Sequence, residues 1–305
     1  MTSVSVALCT YNGEKHLKEQ IESILSQTLS ANEIIICDDC STDTTRDILA
    51  QYVLQYPDLI KIYHNSENLG YVKNFEKALS LCTKDIIFLC DQDDIWMEDK
   101  IEKIIKDYLD KTETDIICHN VLLFGEAVSK KITYWELEGF NPEKYMTNKD
   151  LLQKLLFEGN VFPGMSMSVK KTFLEKHLPL KKINPQIIHD YELLLLALNN
   201  GTFKINHQVL SKYRIHKDQK IGFKRFSKKS DEDRQTRQKL YSVFRKAEYI
   251  KSIVEKLSLN TDLIEDYKTI CIKKYQEYLS QTPVSKRFIE RLNLKYRYKI
   301  FKFLS

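Results

Sequence analysis

Short unbroken apolar runs alternate along this chain with stretches in which apolar residues recur every three or four positions. SVSVALC (3–9), EIIIC (33–37), IKIY (60–63), DIIFLC (85–90) and DIIC (115–118) have strand length. Between them, Leu17, Ile21, Ile24 and Leu25 have helical spacing, as do Ile48, Leu49, Tyr52 and Val53. Val72, Phe75, Ala78 and Leu79 repeat the pattern, and so do Ile101, Ile104, Ile105 and Tyr108. The order predicted is β-α-β-α-β-α-β-α-β. Strands that are apolar on both faces belong in a parallel sheet covered by helices on each side, so the expected class is α/β.

The runs stop abruptly on polar residues. The first ends at Thr10-Tyr11-Asn12-Gly13, the second at Asp38-Asp39 and the fourth at Asp91-Gln92-Asp93-Asp94. Asn68-Leu69-Gly70 reads as a turn, and Ser41 to Thr44 can cap the second helix. Ligands of parallel sheets bind beyond the carboxyl ends of the strands. That rule brings the three stops to one edge, and their convergence favours a functional site over three solvated turns. Asp91, Asp93 and Asp94 crowd like charges at the mouth of an apolar strand, where solvation is poor. One reading is a turn in which Asp94 or Asp99 caps the next helix. The other is a hard-metal site: Mg2+ and Mn2+ prefer oxygen ligands and bind through one or two carboxylates plus substrate phosphates.

The second half is less regular. GNVFPGMSMSV (159–169) is strand-like with small residues suited to close approach by a ligand. Ile188 to Leu198 predicts a helix ended by Asn199-Asn200-Gly201, with Asp190 at its start as either a cap or a catalytic carboxylate. FKINHQVLSKYRI (203–215) predicts another strand, followed by His216.

The 305 residues suit one large domain or two modest ones. Net charge divides sharply. Residues 1–211 hold 22 Lys+Arg against 31 Asp+Glu (−9), and residues 212–305 hold 25 against 11 (+14), which together make the overall +5. A basic end of this kind meets an anionic surface. The seven Cys are scattered, and the Cys37-x-x-Cys40 pair has no second pair, so buried free thiols in a reducing compartment are expected. No basic-then-apolar leader opens the sequence, and the longest apolar run, Leu193 to Leu198, is far below membrane-spanning length, so a cytoplasmic protein is expected. Neither G-x-G-x-x-G nor G-x-x-x-x-G-K-[ST] occurs, which disfavours a dinucleotide oxidoreductase or a P-loop NTPase.

Taken together the motifs resemble glycosyltransferase family 2 on the GT-A fold. The matching elements are Thr10-Tyr11-Asn12-Gly13, Asp38-Asp39-Cys40-Ser41-Thr42-Asp43, Asn68-Leu69-Gly70 with Asn74, and Asp91-Gln92-Asp93-Asp94 with Trp96. Gly164, His189-Asp190, and Tyr213-Arg214 with His216 complete the set. The Gln92-to-Trp96 and His189-Asp190-Tyr191 variants are most similar to bacterial rhamnosyltransferases of capsule or cell-wall polysaccharide synthesis. The resemblance implies a Rossmann-like, mostly parallel sheet flanked by helices, with a helical extension at the C-terminus. It implies inverting transfer of a sugar from a nucleoside diphosphate donor (dTDP- or UDP-linked) to a saccharide or polyprenyl-linked acceptor, with Mg2+ or Mn2+. Asp93 would be the metal ligand, and Asp91 would contact the donor ribose and assist with the metal. Thr10, Tyr11 and Asp39 would hold the nucleoside, with Asn12 and Gln92 in the same donor-binding set, while Asp38 would bind there or orient the loop. Asn68, Gly70 and Asn74 would line that pocket, or form a turn and cap. Asp190 would be the general base, and His189, where the family often has Glu, a structural or acceptor-side residue. Trp96 would stack on a sugar or fill the core. Arg214 and His216 would steady the diphosphate, or form a solvated strand end.

The resemblance ends near residue 220, so the expected domains are 1–220, catalytic, and 221–305, basic and mainly helical. Segment 284–305 holds seven Lys+Arg and one Glu, with Phe288, Leu292, Tyr296 and Ile300 four apart. Such a helix lies on an anionic membrane surface, or packs on the catalytic domain or a second subunit as in a homodimer. No nucleic-acid motif is present. Two other classes compete. A nucleotidyltransferase would carry a Gly-rich basic loop where Thr10 to Glu14 stands. A non-catalytic binding module would be expected to lose Asp91, Asp93 or Asp190.

Overall fold

The computed structural model describes residues 2–126, 128–183, 186–216, 246 and 249–281. Its elements in chain order are β1 (Val4–Thr10), α1 (Leu17–Leu25), β2 (Glu33–Asp38), α2 (Thr45–Gln55), β3 (Ile60–His64) and α3 (Tyr71–Leu81). There follow β4 (Ile86–Cys90), β5 (Ile95–Trp96), α4 (Lys100–Asp110), β6 (Ile116–Phe124), α5 (Tyr134–Glu138) and α6 (Asn148–Glu158). The series closes with β7 (Met167–Lys170), α7 (Lys171–His177), α8 (His189–Asn200) and β8 (Phe203–Arg214). The chain divides into two compact units, residues 1–152 with 160–222, and residues 153–159 with 223–305.

The first unit is built on one sheet in the order β3-β2-β1-β4-β7-β6-β8-β5. The apolar runs of β1, β2 and β4 are buried along their whole length, which is why they occupy its centre. Ala7 of β1 lies opposite Ile35 on one side and Leu89 on the other, all three strands running parallel. β7 enters antiparallel between β4 and β6, and β6 and β8 are parallel to each other. The carboxyl ends of β1, β2, β3, β4, β6 and β8 therefore share one edge with the amino end of β7. The helical faces pack as their spacing predicts, with Leu17, Ile21 and Ile24 of α1 and Ile101, Ile104, Ile105 and Tyr108 of α4 buried.

The sheet has to curl. Cys90 ends β4 and Ile95 begins β5, five residue steps that reach about 17 Å fully extended. On a flat sheet the four strand spacings from β4 to β5 would measure about 19 Å. Trp96 of β5 instead reaches back inside the curl, its ring centroid 5.6 Å from that of Phe88 on β4. The acidic loop Asp91–Asp94 is the short chord of this arc.

Several local expectations are corrected. The strand read at 159–169 is only β7, because Gly164–Ser166 forms a 3-10 turn before it. The fifth strand runs on to Phe124, and β5 had no signal in two residues of sequence. Thr44 occupies the N-cap of α2 without a side-chain capping bond, its hydroxyl donating to Glu14 at 2.8 Å, and Asp43 receives the Thr45 N–H at 3.0 Å instead. Asp99 stands at the N-cap of α4 without capping it and pairs with Lys103 at 2.6 Å. Gly201 ends α8 in the left-handed conformation, as its position suggests. The seven cysteines are free thiols, six of them buried.

In the second unit the helix Asp262–Gln281 buries Leu263, Tyr267, Cys271 and Leu279, and Tyr267 packs on Phe157 with centroids 4.7 Å apart. No helix among the described residues is long and apolar enough to cross a membrane. The basic segment 284–305 lies outside the described residues.

Gly125 gives a direct test of how β6 and β8 meet. Its φ is +115°, and a Cβ there would lie 2.5 Å from the Ile215 carbonyl oxygen, between Arg214 and His216. Strain and overlap together predict that Gly125→Ala loses about 2 kcal/mol or more. A lowered urea midpoint at unchanged slope is the expected result.

Candidate active site

Four strand ends build the site's floor. Asp38, the last residue of β2, is fully buried and carries a dense set of donors. Thr10 Oγ1 (3.0 Å), Ser41 Oγ (2.5 Å) and Arg46 Nε (3.0 Å) all bond to it, with His64 Nδ1 at 3.4 Å. Burial pushes its pKa up, but these bonds outweigh it and hold the carboxyl below its usual range. Asp38 therefore organises the loop, and Thr10 is turned inward to it.

Asp39 ties the third loop to the second. Its Oδ1 accepts from Leu69 N (2.7 Å) and Asn65 Nδ2 (2.8 Å), and its Oδ2 from Gly70 N (2.9 Å). Asn68 donates to its carbonyl at 3.0 Å. Gly70 needs its φ of +77° to present that N–H at the head of α3. Asn74 is neither a cap nor a turn residue. Inside α3, it donates to the Cys37 carbonyl at 2.9 Å and accepts from Asn65 at 2.9 Å, bracing helix to strand.

Gln92 locks the first loop to the acidic one. Its Oε1 accepts from Tyr11 N at 2.8 Å and its Nε2 donates to Tyr11 O at 3.0 Å. The second position needs a glycine beside this clamp, since a Cβ on Gly13 would fall 2.3 Å from Gln92 Oε1. Asn12 adopts φ +49° and accepts the Thr42 N–H at 2.8 Å, joining the first loop to the second.

The three carboxylates behave differently. Asp94 is fully buried, so it is neither a solvated turn nor a cap. Its Oδ1 accepts Arg214 N at 2.9 Å, and its Oδ2 is buried without a hydrogen-bond partner among the described residues. Asp93 bonds to His216 Nε2 at 2.8 Å through Oδ2. Asp91 is half-buried, and burial first, then Asp93 and Asp190, push its carboxyl well up. Burial followed by Asp93 and Asp91 does the same to Asp94. These are carboxylates short of positive charge. Among the described residues no three His, Cys, Asp or Glu side chains form a closed metal cage. The donor set nevertheless fits Mg2+ or Mn2+ held through one or two carboxylates and completed by a phosphorylated ligand.

Arg214 stands over this group. Its Nε donates to Asp93 O at 2.7 Å, its Nη2 meets Glu19, and its guanidinium lies 4.4 Å from the Phe124 ring centroid. Arg214 and His216 thus belong to the acidic loop and are not a solvated strand end.

Asp190 completes the edge from the other side. It is the second residue of α8, buried, and accepts the N–H of Tyr191 (2.7 Å) and of Gly164. A Cβ on Gly164 would sit 3.2 Å from Asp190 Oδ2, which explains the glycine. Burial outweighs these donors and pushes the Asp190 pKa up to about 6. Next door, His189 stacks on Phe75 with centroids 4.2 Å apart, and burial pulls its pKa down to about 3. Burial thus favours the neutral imidazole. Trp96 is buried, so of its two readings the core one holds. One residue escaped the sequence reading altogether. Lys100, the first residue of α4, has no accessible surface and reaches Met165 O at 2.9 Å. A lysine after Glu98-Asp99 looks like an exposed helix start, and only the curl of the sheet turns it inward.

A mostly parallel sheet with acidic and amide-rich loops on its carboxyl edge, closed by an antiparallel β7 and a buried carboxylate on α8, is the GT-A arrangement. The model of the family "Glycosyl transferase family 2" matches residues 5–177. Among similar proteins, dTDP-rhamnosyl transferase RfbG of Shigella flexneri is 31% identical over 225 residues, 70% of this chain and 73% of that one. An uncharacterized glycosyltransferase of Nostoc sp. is 29% identical over 216 residues, 70% of this chain and 65% of its own length. The chain matches 44% of the length of the putative glycosyltransferase EpsE of Bacillus subtilis, so several of these relatives are covered only in part. The structure of S. aureus TarS 1–349 in complex with UDP-GlcNAc superposes with a TM-score of 0.59 at 14% identity, covering 99% of this chain and 82% of that one. Mannosyltransferase PcManGT of Pyrobaculum calidifontis, in complex with GDP-Man and Mn2+, gives 0.54 at 14% identity, covering 99% and 84%. The chain belongs to glycosyl transferase family 2.

The raised Asp190 pKa makes a stability prediction. The folded state disfavours the ionised form, so the penalty is full above pH 6 and absent below the unfolded value near 3.8. A shift of roughly two units corresponds to roughly 3 kcal/mol at most. Asp190→Asn is therefore expected to be more stable than the parent at pH 8, the gap closing by pH 4, as read by urea denaturation at both values.

Proposed function

We propose that the chain is an inverting, metal-dependent glycosyltransferase of capsule or cell-wall polysaccharide synthesis. It moves a sugar, L-rhamnose from dTDP-rhamnose by preference, to a hydroxyl of a polysaccharide or lipid-linked acceptor. The observation that carries this reading is the buried Asp190 carboxylate, its pKa near 6, on the same edge as Asp91 and Asp93. A base poised near the working pH beside an acidic pair able to hold a metal ion is what such a transfer needs.

In the step proposed, the acceptor oxygen attacks the anomeric carbon from the face opposite the diphosphate. The new C–O bond forms as the bond to the diphosphate oxygen breaks, the acceptor proton passes to Asp190, and the nucleoside diphosphate leaves. Asp93, assisted by Asp91, would hold Mg2+ or Mn2+, whose charge neutralises the departing diphosphate. Arg214 and His216 flank the same carboxylates and would steady the phosphates. Tyr11, fixed by Gln92, and Asp39 would face the nucleoside, while Thr10, Asp38, Asn12, Asn68, Gly70 and Asn74 hold the loops that shape its pocket. Segment 284–305 would bring the enzyme to the anionic membrane surface that carries a lipid-linked acceptor.

The rhamnose preference rests on the likeness to the Shigella protein named for dTDP-rhamnose. A UDP-hexose donor is the second reading, favoured by the fold's likeness to TarS bound to UDP-GlcNAc.

A thermal-shift panel of dTDP, UDP, GDP, dTDP-rhamnose and UDP-sugars, with and without Mn2+, tests the donor. A rise of several degrees with dTDP or UDP that needs the metal and is lost in Asp93→Ala is expected. No shift with any nucleotide would overturn the reading. Where turnover is measurable, kcat should fall about tenfold per pH unit below the Asp190 pKa of about 6 as the base takes up its proton.

A further inference from the structure

Lys100 is a buried lysine that the reaction just described does not use. Its whole side chain is inaccessible to solvent. Its Nζ lies 3.8 Å from the Trp96 ring centroid and 5.9 Å from that of Phe88, the two rings that fill the curl of the sheet. Among the described residues its one hydrogen-bond acceptor is the Met165 carbonyl at 2.9 Å, and no carboxylate lies within ion-pair distance. Burying an ammonium with one neutral partner costs several kcal/mol. A methionine would fill the same space without that cost, so packing alone does not account for a lysine.

What Lys100 touches gives the account. Met165 is the middle residue of the 3-10 turn Gly164–Ser166. The residue before it donates its N–H to Asp190 and packs against Asp190 Oδ2. On the other side, the nearest carboxylates to the ammonium are Asp94 and Asp91, and Asp94 Oδ2 is the buried oxygen without a hydrogen bond. The side chain therefore spans from beneath the acidic loop to the turn that seats the carboxylate of α8. Met165 O has no partner in the sheet, since β7 begins at Met167, and without Lys100 the turn would have one fewer bond fixing its height.

We propose that Lys100 is a positioning residue: a strut from the floor of the acidic loop to the Gly164–Ser166 turn that holds Asp190 at its working distance. This rests on the transferase reading, in which Asp190 is the base. The role needs only an N–H on Met165 O, which ammonium and amine both supply. A displacement of about 1 Å at a reacting group is worth about a hundredfold in rate, so a single hydrogen bond at this place is sufficient to matter.

The test is a double-mutant cycle of Lys100→Met with Asp190→Asn. Its readout is nucleoside diphosphate release from dTDP-rhamnose and from UDP-N-acetylglucosamine with water as acceptor, so that no sugar acceptor has to be known. Lys100→Met should lower release about tenfold or more in the parent and less than about twofold in Asp190→Asn, because the two changes remove one function. The dTDP- or UDP-induced melting shift should be unchanged in both. Equal losses in the two backgrounds, or no loss in the parent, would overturn the strut. Lys100→Gln, neutral but still a donor, should recover part of the lost rate and serves in the same cycle if Lys100→Met does not fold. A chain that folds with neither variant assigns Lys100 to stability and overturns the proposal. A parent that binds nucleotide and releases nucleoside diphosphate while the cycle is additive sinks the strut alone. A folded parent that does neither sinks the transferase reading with it.

Discussion

The step from β4 to β5 governs the molecule. Four residues, Asp91 to Asp94, must connect a central strand to the strand at the far edge of the same sheet. The chain is too short to cross a flat sheet, so β7, β6 and β8 arch around and Trp96 returns to face Phe88. The loop bends at Gln92 and Asp93, and its side chains are tied on both sides. Asp94 is turned inward to the backbone of Arg214, Gln92 outward to the backbone of Tyr11, and Asp91 and Asp93 remain at the edge. Chain geometry, before any ligand, selects which two of the three carboxylates are presented.

Electrostatics then works against stability in a consistent direction. Asp38 has donors enough to stay ionised in spite of burial, and it serves the loop. Asp91, Asp94 and Asp190 lack them, and burial pushes each upward. A chain under selection for stability alone would pair such groups or replace them. They stand together on one edge, beside a buried lysine that forms no ion pair among the described residues, and groups perturbed in this way cluster at functional sites.

Much of this was legible in the sequence because it depends on periodicity and on polar stops. β1, β2, β4 and their helices follow from apolar spacing, and the carboxyl-edge rule brings Thr10, Asp38, Asp39 and the acidic loop together without coordinates. What was not legible depends on distant closure. β5 has two residues and exists only because β8 is there to pair with it. Trp96 and Lys100 sit in polar, charged sequence, and the curl alone buries them. Asn74 looks like a helix-start residue until Asn65 and the Cys37 carbonyl are placed on either side of it. The strand read at 159–169 failed for a local reason: Pro163 and Gly164 favour the turn that seats Asp190.

That turn shows how two opposing effects are ranked at Asp190. In the first turn of α8, the helix dipole and three backbone N–H groups, those of Tyr191, Asp190 itself and Gly164, favour the carboxylate. A helix N-terminus is worth about 0.3–1 kcal/mol at a surface and up to about 2 in partly buried sites. The pKa still rises to about 6, so desolvation exceeds the dipole and the three hydrogen bonds together. Its neighbour His189 is stacked on Phe75, and Gly164 stands close to Oδ2. A glycine is the one residue that leaves the carboxylate its N–H donor without filling the space before it. Any larger residue at 164 would press a Cβ to within 3.2 Å of Asp190 Oδ2.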